Sequence, residues 1–132
     1  MPQAETKPQA NSQSQPRHLS WKNIAREAMT PLITRQYVSG ANSTVAHFEL
    51  QAGSVVPEHA HENEQICVVT AGALKFTMSG ADYVIRAGEL LVIPPNIPHR
   101  AEAVERTICF DFFSPPRADW AANNDAYLRA GK

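Results

Sequence analysis

The chain has 132 residues, of which 43% are apolar and 19% charged, and its 12 basic and 13 acidic side chains leave a formal charge of −1. That length fits one domain with a real core and leaves no room for a second. The even charge balance excludes the basic footprint of a nucleic-acid or membrane-surface binder. No apolar run nears the length of a transmembrane helix, and the amino terminus is too polar for a secretory leader, so the expected setting is the cytoplasm. Two cysteines are too few for a disulfide scaffold, which agrees with a reducing compartment.

Residues 1–18 are rich in Gln, Pro, Ser and Ala and hold one large apolar side chain, so they are expected to form a disordered polar tail. Ser20 is placed to cap a short helix over residues 21–28, which Thr30-Pro31 ends. From Leu32 to Phe113 short strands alternate with turn residues. In residues 45–51, Ala46, Phe48 and Leu50 share one face and His47, Glu49 and Gln51 the other. Strands at 65–70 and 74–78 flank Ala71-Gly72, and Ser79 to Asp82 reads as a hairpin connection into 83–86. Ala87-Gly88-Glu89 turns into 90–93, which ends at Pro94-Pro95. The last long strand covers about 107–113 and stops at Ser114-Pro115-Pro116. This rhythm predicts an all-β barrel or sandwich over residues 19–117. Residues 118–132 follow as an extension of one or two weak helical turns.

Three of the five histidines fall in one arrangement. His59 and His61 stand at i and i+2 after an apolar run, and in a continuous strand both would project from one face. Gln65 has the same parity and Glu64 the opposite one. His99 follows the Pro94-Pro95-Asn96-Ile97-Pro98 turn, where an adjacent strand can close the site. Three imidazoles and one amide oxygen suit a divalent transition metal (Mn, Fe, Co, Ni or Zn), with positions left open for substrate.

These segments resemble the two motifs of the cupin superfamily. Gly53, His59, His61, Gln65 and Gly72 match the first, with Gln where the motif has Glu. Gly88, Pro94, Asn96 and His99 match the second. Asn96 stands where the motif has Gly, and Asn tolerates a left-handed backbone best after glycine. Ala103 stands where the motif has Asn. The resemblance implies an all-β cupin double-stranded β-helix (a jelly-roll barrel) with short helical termini, and a homodimer that packs sheet against sheet.

A narrower resemblance, carried by Gln65, the turn into His99 and residues 111–120, is to the small single-domain cupins of the KdgF type. Those linearise 4,5-unsaturated uronate monosaccharides in pectin and alginate breakdown. The likeness implies a metal set of His59, His61, Gln65 and His99, with Asp111, Phe113 and Arg117 as pocket residues. An unsaturated uronate is a hemiacetal whose ring opening releases an enol that becomes a ketone. Such a reaction needs a Lewis acid, a proton carrier and a cation for the carboxylate. A neutral ligand set leaves the full metal charge on the substrate, Arg117 offers a planar fork, and Asp111 can act as acid or base. The partner implied is a small-molecule sugar acid, and the protein an enzyme without a redox cofactor. Two other classes share the scaffold: a metal-dependent oxygenase or lyase, against which Gln65 weighs, and a non-catalytic binding or sensor cupin.

His18 and the outward-facing His47 are expected to be exposed and without a role. Cys67 and Cys109 share inward parity with Gln65 and Asp111 and are expected to be small buried hydrophobes. Trp21 and Trp120 are expected to pack the termini or a dimer partner.

Overall fold

The computed structural model describes residues 15–132, so most of the tail expected over 1–18 lies outside the described residues. Within 15–18, the Arg17 guanidinium donates to the Ser39 carbonyl at 2.7 Å.

Ten strands build two antiparallel sheets. They are β1 (Glu27–Thr30), β2 (Ile33–Ser39), β3 (Thr44–Leu50), β4 (Val55–His59), β5 (Glu64–Ala71), β6 (Ala73–Met78), β7 (Ala81–Arg86), β8 (Leu90–Ile93), β9 (His99–Ala103) and β10 (Thr107–Ser114). The six-stranded sheet runs β1-β2-β3-β10-β5-β8, and the four-stranded sheet runs β4-β9-β6-β7. This is an all-β barrel, as the strand rhythm predicts, in the jelly-roll form that the resemblance implies. Two single-turn helices close the chain, α1 (Ala118–Ala121) and α2 (Ala126–Arg129), where weak helical turns were expected.

The alternation in β3 holds: Ala46, Phe48 and Leu50 are buried between the sheets. Their partners across the interior include Leu74, Phe76 and Ala101 of the smaller sheet. Each large apolar side chain taken fully out of water contributes about 1.5–3 kcal/mol, and that gain holds the two sheets face to face.

The helix expected over 21–28 is one 3-10 turn, Trp21–Asn23, in which Ser20 Oγ accepts from the Lys22 N–H at 3.3 Å. Residues Glu27–Thr30 instead pair with β2, with Thr30 opposite Ile33 across Pro31-Leu32. Glu-Ala-Met favours a helix locally, but a strand buries Met29 against the core, and tertiary burial overrides propensity. The Ser79-Gly80 connection is tighter than expected. Met78 pairs directly with Ala81, and both turn residues have positive φ (51° and 74°), as a two-residue hairpin of the primed type requires.

His47 departs from its expected exposure. Trp21 and Phe110 lie over it at ring-centroid distances of 5.7 and 5.0 Å, so it is packed under the 3-10 turn. His18 is exposed. Trp120 is buried against Tyr37, Phe48 and Phe113 and so packs the carboxyl-terminal segment onto the core.

Candidate metal centre

The two sheets bring four polar side chains to one end of the barrel. His59 ends β4 and His99 begins β9, and the two lie directly opposite each other in the antiparallel ladder. His61 does not lie in the strand. It sits in loop 60–63, which crosses from the four-stranded sheet to the six-stranded one, so a turning backbone brings it to His59. Gln65 points inward from β5 and Glu64 is exposed, as parity requires.

The turn before His99 is tied to the same loop. Asn96 has φ 64° and its N–H donates to the His61 carbonyl at 2.8 Å, so the left-handed Asn fastens the two motif segments together. Asn63 holds the loop's other end, its Nδ2 donating to the Pro115 and Pro116 carbonyls.

The imidazoles converge with ring centroids 4.4 Å (His59–His99), 5.0 Å (His61–His99) and 5.5 Å (His59–His61) apart, and one nitrogen from each lies within 4.8 Å of the others. His59 Nδ1 meets the Pro57 carbonyl at 2.9 Å and His99 Nδ1 meets the Ile97 carbonyl at 2.8 Å. A carbonyl only accepts, so each Nδ1 carries the ring proton and each Nε2 presents a bare lone pair. His99 Nε2 is buried and has no partner.

His61 faces two acceptors, the Asn63 carbonyl at Nδ1 and Gln65 Oε1 at Nε2, both at 3.1 Å. A neutral ring has one N–H, so one of these contacts sets lone pair against lone pair. Burial, with smaller contributions from neighbouring cationic groups, pushes His59 down to about 3 and His61 to about 4, and burial also lowers His99. The rings are therefore neutral at physiological pH. The bare Nε2 atoms of His59 and His99, converging beside His61 and Gln65 Oε1, fit a cation, and the buried His99 Nε2 has no other partner.

Around this point lie the other candidate residues. Asp111 and Phe113 project inward from β10, with Phe112 facing out between them. Asp111 Oδ1 accepts from Gln65 Nε2 at 3.1 Å, and burial raises its carboxyl to about 6 against hydrogen bonds from Cys67 and Gln65. Phe113 sets its ring edge against His61 at 5.7 Å and lies under the Arg117 guanidinium at 4.7 Å.

Arg117 is fully buried between the Phe113 and Trp120 rings, but its fork is taken. Nε and Nη2 donate to the two Asp119 oxygens at 2.9 and 2.7 Å, and Nη2 also reaches Tyr127 Oη at 2.6 Å. Cys67 and Cys109 are free and buried, as parity predicts. They are more than small hydrophobes, since their thiols lie within 4.8 Å of each other and of the Asp111 carboxylate.

Sequence reasoning missed Tyr127. It stands at the end of the chain, where composition suggests only weak helix, yet its ring stacks on His59 at 4.2 Å and 25°. An isolated aromatic beyond the last strand gives no signal of its partner. With Trp120 and Leu128 it walls a cavity of about 40 Å³ that His59, His99, Gln65, Asp111 and Arg117 also line. That volume holds an ion and a water or two.

A cupin-domain family model matches residues 46–110. Among solved structures, KdgF from Halomonas sp. superposes with a TM-score of 0.69 at 27% identity, over 75% of this chain and 94% of that one. An RmlC-like cupin from Shewanella frigidimarina gives 0.73 at 25% identity, over 82% and 99%. Oxalate decarboxylase from Bacillus subtilis shares the fold (TM-score 0.67, 16% identity), and 74% of this chain spans 29% of that one. No curated protein gives a significant match. Among the described residues, no helix is long and apolar enough to cross a membrane.

Proposed function

From the premise that this chain is a small cupin, we propose that His59, His61, Gln65 and His99 hold one divalent transition metal and that the site opens and ketonises 4,5-unsaturated uronate monosaccharides. The carrying observation is the convergence of three imidazoles, the bare His99 Nε2 among them, with the Gln65 oxygen, on a barrel similar to KdgF. A divalent ion bound there supplies Lewis-acid polarisation of substrate oxygens.

The chain's own residues supply the rest. Opening breaks the bond between the anomeric carbon and the ring oxygen: the anomeric hydroxyl loses its proton to give an aldehyde, and the ring oxygen leaves as an enol. The enol then moves its proton to carbon and becomes a ketone, so the conversion is an isomerisation without net redox change. Asp111, on the cavity wall and with its carboxyl raised to about 6, is the group able to take and return that proton near neutrality. Arg117 binds the substrate carboxylate once Asp119 releases its fork, and Phe113 holds Arg117 over its ring face and His61 by an edge contact.

The outer face of the larger sheet supports the homodimer: Val92, Ile66 and Phe112 adjoin across β8, β5 and β10, and Leu90, Val92 and Phe112 are exposed. Sedimentation at twice 14.5 kDa is the expected result.

The test is to incubate the protein with an unsaturated uronate and each of Mn, Fe, Co, Ni and Zn while following the enol-ether absorbance. Faster loss with at least one metal is expected. No acceleration with any of them overturns the reaction. Elemental analysis of wild type beside His61→Ala tests the centre separately, with about one metal per wild-type chain and little in the variant.

A further inference from the structure

We propose that Asp111, backed by Cys67 and Cys109, is a positioning residue that fixes which end of the Gln65 amide faces the three histidines. This rests on the reading of His59, His61, His99 and Gln65 as a ligand set.

A glutamine amide has an oxygen and an NH2 group of nearly equal size, and a half-turn exchanges them. Only the oxygen can serve a cation. The NH2 group turned toward the same point would oppose one, so a Gln ligand needs something to select its orientation. Glutamate, the residue the cupin motif carries there, has two equivalent oxygens and needs no such device.

The structure supplies the selector. Asp111 and Cys67 are direct cross-strand partners on β10 and β5, and Gln65 and Cys109 are their diagonal neighbours on the same inward face. Gln65 Nε2 donates to Asp111 Oδ1 at 3.1 Å, leaving Oε1 at 3.1 Å from His61 Nε2. An ionised carboxylate accepts and does not donate, so it takes the NH2 end and refuses the oxygen. The Cys67 and Cys109 thiols lie within 4.8 Å of the same carboxylate and of each other. Cys67, Cys109, Asp111 and Gln65 are all buried, so bulk water competes weakly for these bonds. A carboxylate at that depth favours whatever donors it can reach, and the Gln65 amide is the one that it meets at hydrogen-bond distance.

The experiment uses the full chain, stripped with a chelator and titrated with Co²⁺ while following the d–d absorption, with a melt of each variant as a folding check. Groups that orient a metal ligand typically change affinity 10–100-fold. Asp111→Asn can meet the amide either way round, so the expected result is roughly a tenfold rise in Kd. In a Gln65→Ala background the same substitution should change Kd less than about twofold, because nothing is left to orient. Cys67→Ala, which removes one thiol beside the carboxylate, should raise Kd about threefold in the wild-type background and not in Gln65→Ala. That variant carries the test if Asp111→Asn does not fold. Affinity unchanged in Asp111→Asn, or lost equally in the Gln65→Ala background, overturns the proposal. A wild type that binds no Co²⁺ overturns the ligand reading itself, and the proposal with it.

Discussion

Arg117 and Asp119, two positions apart, form a two-pronged ion pair at 2.9 and 2.7 Å across the mouth of the barrel. The guanidinium is buried and the carboxylate is about one-third exposed, so the pair is the seam between core and solvent. Asp119 therefore occupies the geometry in which a substrate carboxylate would sit. Asp119→Ala should free that fork and tighten binding of a free uronate by roughly tenfold, read by calorimetry. It should also lower unfolding free energy by about 1–2 kcal/mol, because Tyr127 still partners the buried cation and the lost partner is partly solvated. Weaker uronate binding in this variant would place the substrate carboxylate elsewhere.

The histidine cluster sets a pH dependence of definite sign. Burial holds His59 near 3 and His61 near 4 in the folded protein, while unfolded imidazoles protonate near 6.5. The unfolded state thus binds more protons in that window, and metal-free stability, complete above about pH 6.5, should fall as pH drops toward the folded values. Between pH 7.5 and 5.5 the loss is about 1 kcal/mol for His59 and less for the more solvent-open His61. Denaturant midpoints of the stripped protein across that range check it. Metal affinity should change little on account of the histidines. Because burial lowers all three, Kd for Co²⁺ should rise by no more than about tenfold from pH 7.5 to 5.5, the change expected as Asp111 takes up its proton near 6. A site of unshifted histidines would weaken by up to about a thousandfold per unit below its pKa.

Glycines of the same conformation should tolerate substitution differently. Gly72 and Gly88 have φ of 87° and 86°. A methyl at Gly72 would run into the Arg106 carbonyl and Thr107, whereas at Gly88 it meets open space. Gly88→Ala should cost about 1 kcal/mol for the left-handed backbone alone. Gly72→Ala adds backbone displacement between β5 and β6 and should cost about 2–4 kcal/mol. Equal chemical-denaturation losses in the two variants would show that the barrel gives way at Gly72.

The alternating strands were legible because each buries one face: Ala46, Phe48 and Leu50 repeat with period two, and so do Asp111 and Phe113. The strands Glu27–Thr30, Ile33–Ser39, Val55–His59 and His99–Ala103 were not assigned. Glu27–Thr30 carries helix-forming residues whose state is decided by β2. Val55–His59 contains Pro57, which is tolerable there because β4 is the edge of its sheet and needs no donor on that side. The clustering of the three histidines was legible from spacing, but the route to it was not. His59 and His61 converge through a loop between two sheets rather than along one strand face. Arg117 was legible as a fork, while its pairing with Asp119 and Tyr127 depends on where residues 118–132 fold back. That placement is settled by distant partners, among them the Arg35–Asp125 ion pair at 3.0 Å and the pairing of Lys132 with Val55.

Tyr127 separates the stability of this mouth from the chemistry behind it. Its oxygen accepts from Arg117 Nη2 at 2.6 Å and from Trp120 Nε1 at 3.0 Å, and its ring stacks on His59. Tyr127→Phe keeps the ring and strips the acceptor from two buried donors. An unfolding free energy lower by about 1–3 kcal/mol is expected. The His59 ring remains anchored by the Pro57 carbonyl at 2.9 Å, so Co²⁺ affinity in Tyr127→Phe should stay within about twofold of wild type. Tyr127→Ala also removes the stacking partner and one wall of the cavity, so it should lose more stability while admitting a uronate more readily. Denaturation of both variants, paired with Co²⁺ and uronate titrations, resolves the two roles. If Tyr127→Phe loses metal affinity as steeply as His61→Ala, the hydroxyl acts on the centre itself rather than on the segment that covers it.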